Sequence, residues 1–142
     1  MDVTQIPFVK HAGIFKNEEG RLIIVPRDEI TNHIDTIHAS VQFTLAETQS
    51  GEILQSLFPQ YVGKVVGLLR DAKVKYKKPA ITALTAHAVV TKVAKKKCIK
   101  QMNNKGRAII VVEVSVKDMH NVVTMQGEFT WFIQKIEKSE RF

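Results

Sequence analysis

Val41-Gln42-Phe43-Thr44-Leu45-Ala46-Glu47-Thr48-Gln49-Ser50-Gly51-Glu52-Ile53-Leu54-Gln55-Ser56-Leu57-Phe58 is the stretch on which the fold turns. Phe43, Ala46, Ser50, Ile53, Leu54 and Leu57 recur at three- and four-residue steps and form one stripe of apolar or small side chains, the spacing of a helix face. Val41, Leu45 and Gln49 line a second side, so apolar surface runs most of the way round and the helix is expected to be central. His38-Ala39-Ser40 offers capping groups in front of it, and Pro59 closes it. It is the only long helix that the sequence predicts.

On either side the period drops to two. Before the helix, Phe8 to Phe15 and Arg21 to Val25 read as two short strands around Lys16-Asn17-Glu18-Glu19-Gly20, a polar turn with a glycine available for positive φ. After it come four strand-like runs. In the first, Val66, Leu68, Ala72, Val74 and Tyr76 share one face, with Arg70 the exception, and Leu69, Asp71, Lys73 and Lys75 share the other. The second runs from Leu84 to Ala94. The third puts Ala108, Ile110, Val112, Val114 and Val116 on one face, and the fourth puts Val123, Met125, Phe129, Trp131 and Ile133 together. Asn103-Asn104-Lys105-Gly106 and Lys117-Asp118-Met119-His120-Asn121 supply turns.

The expected architecture is therefore α+β, a mostly antiparallel sheet in the order β-β-α-β-β-β-β wrapped around one helix. No repeat or linker divides the 142 residues, so a single domain over residues 1–142 is expected. Such a sheet leaves open edges and a partly covered concave face, for which a homodimer, or a dimer of dimers, is the economical answer.

Composition narrows the partners. The net charge of +7 comes from 21 basic against 14 acidic residues, concentrated at Lys73, Lys75, Lys77 and Lys78 and at Lys92, Lys95, Lys96, Lys97 and Lys100. These lysines read either as a solvated strand face and hairpin tip or as a site for an anionic ligand. With two Tyr, one Trp and no aromatics interleaved with the lysines, nucleic acid is not the expected anion. No run approaches the roughly 20 apolar residues of a membrane span, the N-terminal residues carry no signal-peptide pattern, and Cys98 is the single cysteine. A cytoplasmic protein with no membrane partner is expected. His87 and His120 have no metal-ligand spacing, and neither a metal nor a separate cofactor is expected.

The residue that invites chemistry is Glu47, a carboxylate inside an apolar helix, followed by a Ser50-Gly51 notch of small side chains. The notch could admit a substrate or another helix, and Glu47 could act on a substrate, pair with a lysine or cap a polar patch at a dimer interface. At the helix start, the Ala39 and Ser40 N–H groups lack intrahelical partners and form a candidate oxyanion hole, unless Ser40 merely caps the helix. Ala39 and Glu47 lie about 12 Å apart along the axis at about 1.5 Å per residue, so a ligand touching both lies along the groove or reaches across a dimer interface. His38 reads as a loop-holding residue or, with His33, as an acid–base partner of a dehydratase.

The run Asn32-His33-Ile34-Asp35-Thr36-Ile37-His38-Ala39-Ser40-Val41-Gln42-Phe43-Thr44-Leu45-Ala46-Glu47 resembles the signature of acyl-CoA thioesterases of the hot-dog fold, phenylacetate-degradation type. There, Asn-x-x-Gly-x-x-His-Gly-Gly precedes a helix that carries an acidic residue. The likeness in strand order covers nearly the whole chain, and Lys77-Lys78-Pro79 falls where such proteins often carry a basic-residue-Pro turn. The resemblance implies a hot-dog domain that hydrolyses acyl-CoA, with coenzyme A as part of the substrate. It implies Glu47 as general base or nucleophile, the Ala39 N–H on the thioester oxygen, Asn32 orienting water or the carbonyl, and His38 beside them. Ser40, Phe43 and Gly51 would border the substrate, and Lys77, Lys78, Lys95, Lys96 and Lys97 would meet the CoA phosphates. Two departures are plain: Asp35 stands for the glycine, and Ala39-Ser40 stands for Gly-Gly. A non-catalytic acyl-CoA-binding module and a hydroxyacyl dehydratase are the alternatives.

Overall fold

In the computed structural model, residues 1–137 are described, and residues 138–142, the end of the expected domain, lie outside the described residues. The central helix, α2 in chain order, spans Ala39–Leu57, 19 residues. Around it lie α1 (Pro7–Ala12), β1 (Phe15–Lys16), β2 (Leu22–Ile24), β3 (Val65–Tyr76), β4 (Leu84–Val89), α3 (Lys92–Lys105), β5 (Arg107–Lys117) and β6 (Val123–Lys135). The six strands form one sheet in the order β1-β2-β4-β5-β6-β3, and all neighbouring pairs are antiparallel. Helix α2 packs across β2, β4, β5 and β6.

The strands on the helix side follow the alternation read from sequence. Ala108, Ile110, Val112, Val114 and Val116 of β5 are all buried, and Met125, Phe129 and Ile133 of β6 join them. The turn glycine and the last turn also behave as expected. Gly20 has φ 78°, and Asp118 Oδ1 accepts from the His120 and Val122 N–H groups while Asn121 takes φ 64°.

Three expectations are corrected. Phe8 to Phe15 is not a strand: Pro7 opens α1 with its φ preset, Gly13 closes it at φ 83°, and only Phe15–Lys16 pairs as β1. Val9 and Ala12, three residues apart, are the buried side of that short helix. Leu84 to Ala94 is also not one strand. It stops at Val89, and Thr91 Oγ1 accepts the Ala94 N–H to start α3, a second long helix that the sequence reading did not predict. Cys98 and Met102, four residues apart, are buried where α3 packs on β5, so Lys92, Lys95, Lys96, Lys97 and Lys100 belong to a helix and not to a hairpin tip. Asn103-Asn104-Lys105-Gly106 ends that helix, with Gly106 at φ 69°.

The third correction concerns β3. Its register against β6 slips between Leu69 and Asp71, so Arg70 is an extra residue in a bulge. An extra residue inverts the pleat. Val65 and Leu69 pack on the core before it, and Ala72 and Val74 after it, so strict alternation fails at Arg70, whose guanidinium stacks 4.4 Å from the Phe132 ring. β3 is also an edge of the sheet.

Helix α2 is central as expected, but much of its buried surface is polar: Gln42, Thr44, Thr48, Gln49 and Ser50 are buried. Each has a partner. Gln49 Oε1 accepts the Leu22 N–H at 3.1 Å, Gln42 Oε1 accepts the Thr124 hydroxyl at 2.8 Å, and Ser50 Oγ accepts the Trp131 indole N–H at 2.8 Å. Thr44 and Thr48 donate back to the carbonyls of Ser40 and Thr44. These bonds fix the rotation of α2 on the sheet, because turning the helix would strand several buried polar atoms.

Candidate active site

The loop leading into α2 is built by Asn32 and closed by Asp35. Asn32 Oδ1 accepts the N–H groups of Ile34 and Thr36 at 3.1 and 3.0 Å, and its amide nitrogen donates to Thr36 Oγ1 at 2.8 Å. Its polar atoms are thus spent on the loop itself. Asp35 takes φ 60°, the left-handed conformation for which glycine is the usual solution and which Asp tolerates better than most residues. The Ile37 N–H donates to Ala80 O at 2.7 Å, which ties the Lys77-Lys78-Pro79 turn to the helix start.

His38 is the N-cap. Its Nδ1 accepts the Ser40 N–H at 3.1 Å and lies 2.7 Å from Ser40 Oγ. The Ser40 N–H is therefore occupied by a side chain, contrary to the expectation of two unpartnered donors. The Ala39 N–H makes no hydrogen bond within the described residues, and Ala39 is exposed at the positive end of a 19-residue helix. One donor remains for an oxyanion.

Two turns along, Glu47 lines a cavity of about 510 Å³ between α2, the N-terminal segment and β6. Glu47 is half-buried and makes no ion pair or hydrogen bond through its carboxylate among the described residues. Burial pushes its carboxyl above the usual carboxylate range. The contrast with Glu52 on the same helix is direct, since Glu52 is bound at 2.7 Å by Lys16. The Ser50-Gly51 notch is not open, because it holds the Trp131 indole: Ser50 takes the ring N–H, and a Cβ at Gly51 would sit 3.5 Å from the ring. Gly51 still borders the cavity.

The other expected residues scatter. Phe43 turns to Phe129, with ring centroids 5.5 Å apart, and lies outside the cavity wall. Lys77 and Lys78 sit by the start of α2, their N–H groups on Thr124 O. Lys95, Lys96 and Lys97 lie on α3, with Lys95 Nζ 6.0 Å from the ring of Phe58 just past the end of α2. The two lysine groups are separated by the length of that helix, roughly 28 Å at 1.5 Å per residue, and form no single patch within one chain. Sequence reasoning missed Trp131, Leu54 and Phe58 as cavity walls. The usable signal for Trp131 was a lone large indole facing glycines at 51 and 67.

With the helix, the sheet order and the cavity in place, comparison with known proteins places the chain. It belongs to the family described as Domain of unknown function (DUF4442). That family's pattern matches residues 8–133. A probable thioesterase of unknown function from Pseudomonas aeruginosa, PA5026, superposes with a TM-score of 0.78 at 18% identity over 94% of this chain and 91% of that one. The thioesterase HI1161 from Haemophilus influenzae gives 0.72 at 21% identity, over 97% and 90%. The BH2602 protein from Bacillus halodurans, solved with CoA, gives 0.69 at 19% identity, over 89% and 74%. No curated protein matches the chain. The fold is thus the hot-dog fold, shared with proteins described as thioesterases. In this DUF4442 chain no helix of the described residues is long and apolar enough to cross a membrane.

Proposed function

We propose that the chain is an acyl-CoA thioesterase that works as a homodimer in the cytoplasm. The observation that carries the reading is Glu47: a half-buried carboxylate with no partner among the described residues, pushed toward its protonated form by burial, on the wall of a mostly apolar cavity. Glu47 takes a proton from water, and the water oxygen bonds to the thioester carbonyl carbon. The oxyanion that forms is held by the Ala39 N–H at the helix N-terminus. As the adduct collapses the C–S bond breaks, and the CoA sulfur leaves with the proton from Glu47, giving a carboxylic acid and free CoA.

Glu47 and Ala39 of one chain are about 12 Å apart along the helix, so the Ala39 N–H is supplied by the partner copy. The exposed Ala39 and the long edge strand β3 support that assembly. Asn32 and His38 hold the donor loop in place through their own hydrogen bonds, and Lys77 and Lys78 beside that loop meet CoA phosphates. The test is release of free thiol from a panel of acyl-CoAs, with sedimentation of the same sample. Turnover by a dimer is expected. Stoichiometric CoA binding without thiol release would replace catalysis with an acyl-CoA-binding role, and a stable monomer at micromolar concentration would remove the shared site.

A further inference from the structure

The cavity is larger than the reacting atoms of a thioester require, and its lining indicates what fills the rest. Thr44 and Thr48 donate their hydroxyls to helix carbonyls at 2.9 and 2.6 Å, and Gln55 Oε1 takes the Met1 amino group at 3.0 Å. Glu47 and Tyr61 are the polar side chains of the wall that have no partner among the described residues. Between them Gly51, Leu54 and Phe58 face Trp131 and Ile133. A ligand lying between Glu47 and Tyr61 meets mostly carbon, which suits an aliphatic occupant. Phe58 and Tyr61 stack with centroids 5.8 Å apart and form an aromatic stop.

We infer that this cavity measures a linear acyl chain of about 10–14 carbons, with the carbonyl beside Glu47, the chain across Trp131 and Gly51, and its end at Phe58–Tyr61. The length follows from the rise of the helix: Glu47 to Phe58 spans roughly 16 Å at about 1.5 Å per residue, and an extended chain of C–C bonds about 1.5 Å long advances about 1.25 Å per carbon. Gly51 and Gly67 both lie against the indole, where an added Cβ would sit 3.5 Å from the ring, so a larger side chain at 51 pushes the ring toward the cavity. The inference rests on the thioesterase reading and names its substrate class.

Trp131 is the only tryptophan, so intrinsic fluorescence reports on the cavity wall directly and needs no turnover. The full chain is titrated with S-alkyl-CoA thioethers of 2, 6, 12 and 16 carbons and with S-phenethyl-CoA, none of which can be hydrolysed. Affinity should rise roughly tenfold for every two methylenes between 6 and 12 carbons, level off by 16, and leave the phenethyl compound at least tenfold weaker than the 12-carbon one. Gly51→Leu should move the optimum to shorter chains, and Tyr61→Ala should move it to longer ones. If Gly51→Leu does not fold, Tyr61→Ala and the wild-type series decide. No Trp131 response to any thioether, as when a partner chain fills the cavity, overturns the inference, and so does equal affinity for 2 and 12 carbons. A graded response without thiol release from the matching thioesters would sink the thioesterase reading and keep the chain gauge. Thiol release at one rate for every length, with no graded response, would do the reverse.

Discussion

The polar residues that the central helix turns to the sheet and the carboxylate that it turns to the cavity are treated in opposite ways. Toward the sheet, Gln42, Gln49 and Ser50 are buried and each is bonded to a named partner on β6 or β2. Toward the cavity, Glu47 is half-buried and has no partner among the described residues. Burying a polar group without a partner is costly, so the bonds on the sheet side hold the helix in position, and Glu47 is the exception that the proposed activity uses. The same helix therefore locates itself with one face and leaves a half-buried carboxylate without a partner among the described residues on another.

The largest effect expected from breaking the sheet side is at Phe129, fully buried and packed on Phe43. Phe129→Ala should lower stability by about 3–5 kcal/mol in denaturant unfolding. A loss near that of a surface change would mean the helix does not rest where it is described. Ser50→Ala should cost about 1–3 kcal/mol, because it leaves the Trp131 N–H unpaired. Near-neutral stability there would show that water or a moved indole replaces the bond. Gly51→Ala goes the other way. The added methyl meets the indole at ordinary contact distance, and a helix-interior glycine is lost, so stability should rise by about 0.5–1 kcal/mol.

Glu47 gives a sign instead of a size. Its folded carboxyl holds the proton more tightly than the unfolded chain does, so protonation favours folding below the ordinary carboxylate range. That advantage is lost as pH rises through the raised folded value. Glu47→Gln should therefore melt above the wild type at neutral pH and level with it near pH 4, and an unchanged gap between the two pH values would contradict the unpaired state of Glu47.

Much of this was legible in the sequence where one physical pattern acted alone. The alternation of β5 and the stripe of α2 depend on burial on known faces, and they were read correctly. Asp35, which stands where the resembling signature has glycine, takes a left-handed φ of 60°. What failed were places where a local signal was overruled. Lysines along Lys92–Lys105 masked a helix whose buried side rests on Cys98 and Met102. Pro7 and Gly13 turned an apolar run into α1, and one extra residue at Arg70 inverted a face. In the candidate site, the carboxylate of Glu47 on the apolar helix and the Ala39 N–H at its start were legible as positions. The cavity wall of Trp131, Leu54 and Phe58 was not, because it joins residues far apart in the chain.

The kinetics of Glu47→Gln with a 12-carbon acyl-CoA test the proposed action of Glu47 on a thioester most directly. The substitution keeps size and hydrogen-bonding capacity and removes the base. The account predicts a fall in kcat of roughly 100-fold or more, with thioether affinity nearly unchanged, and an acidic limb of the wild-type pH–rate profile displaced above the ordinary carboxylate range. A folded Glu47→Gln protein that releases thiol within a few-fold of the wild-type rate would contradict it.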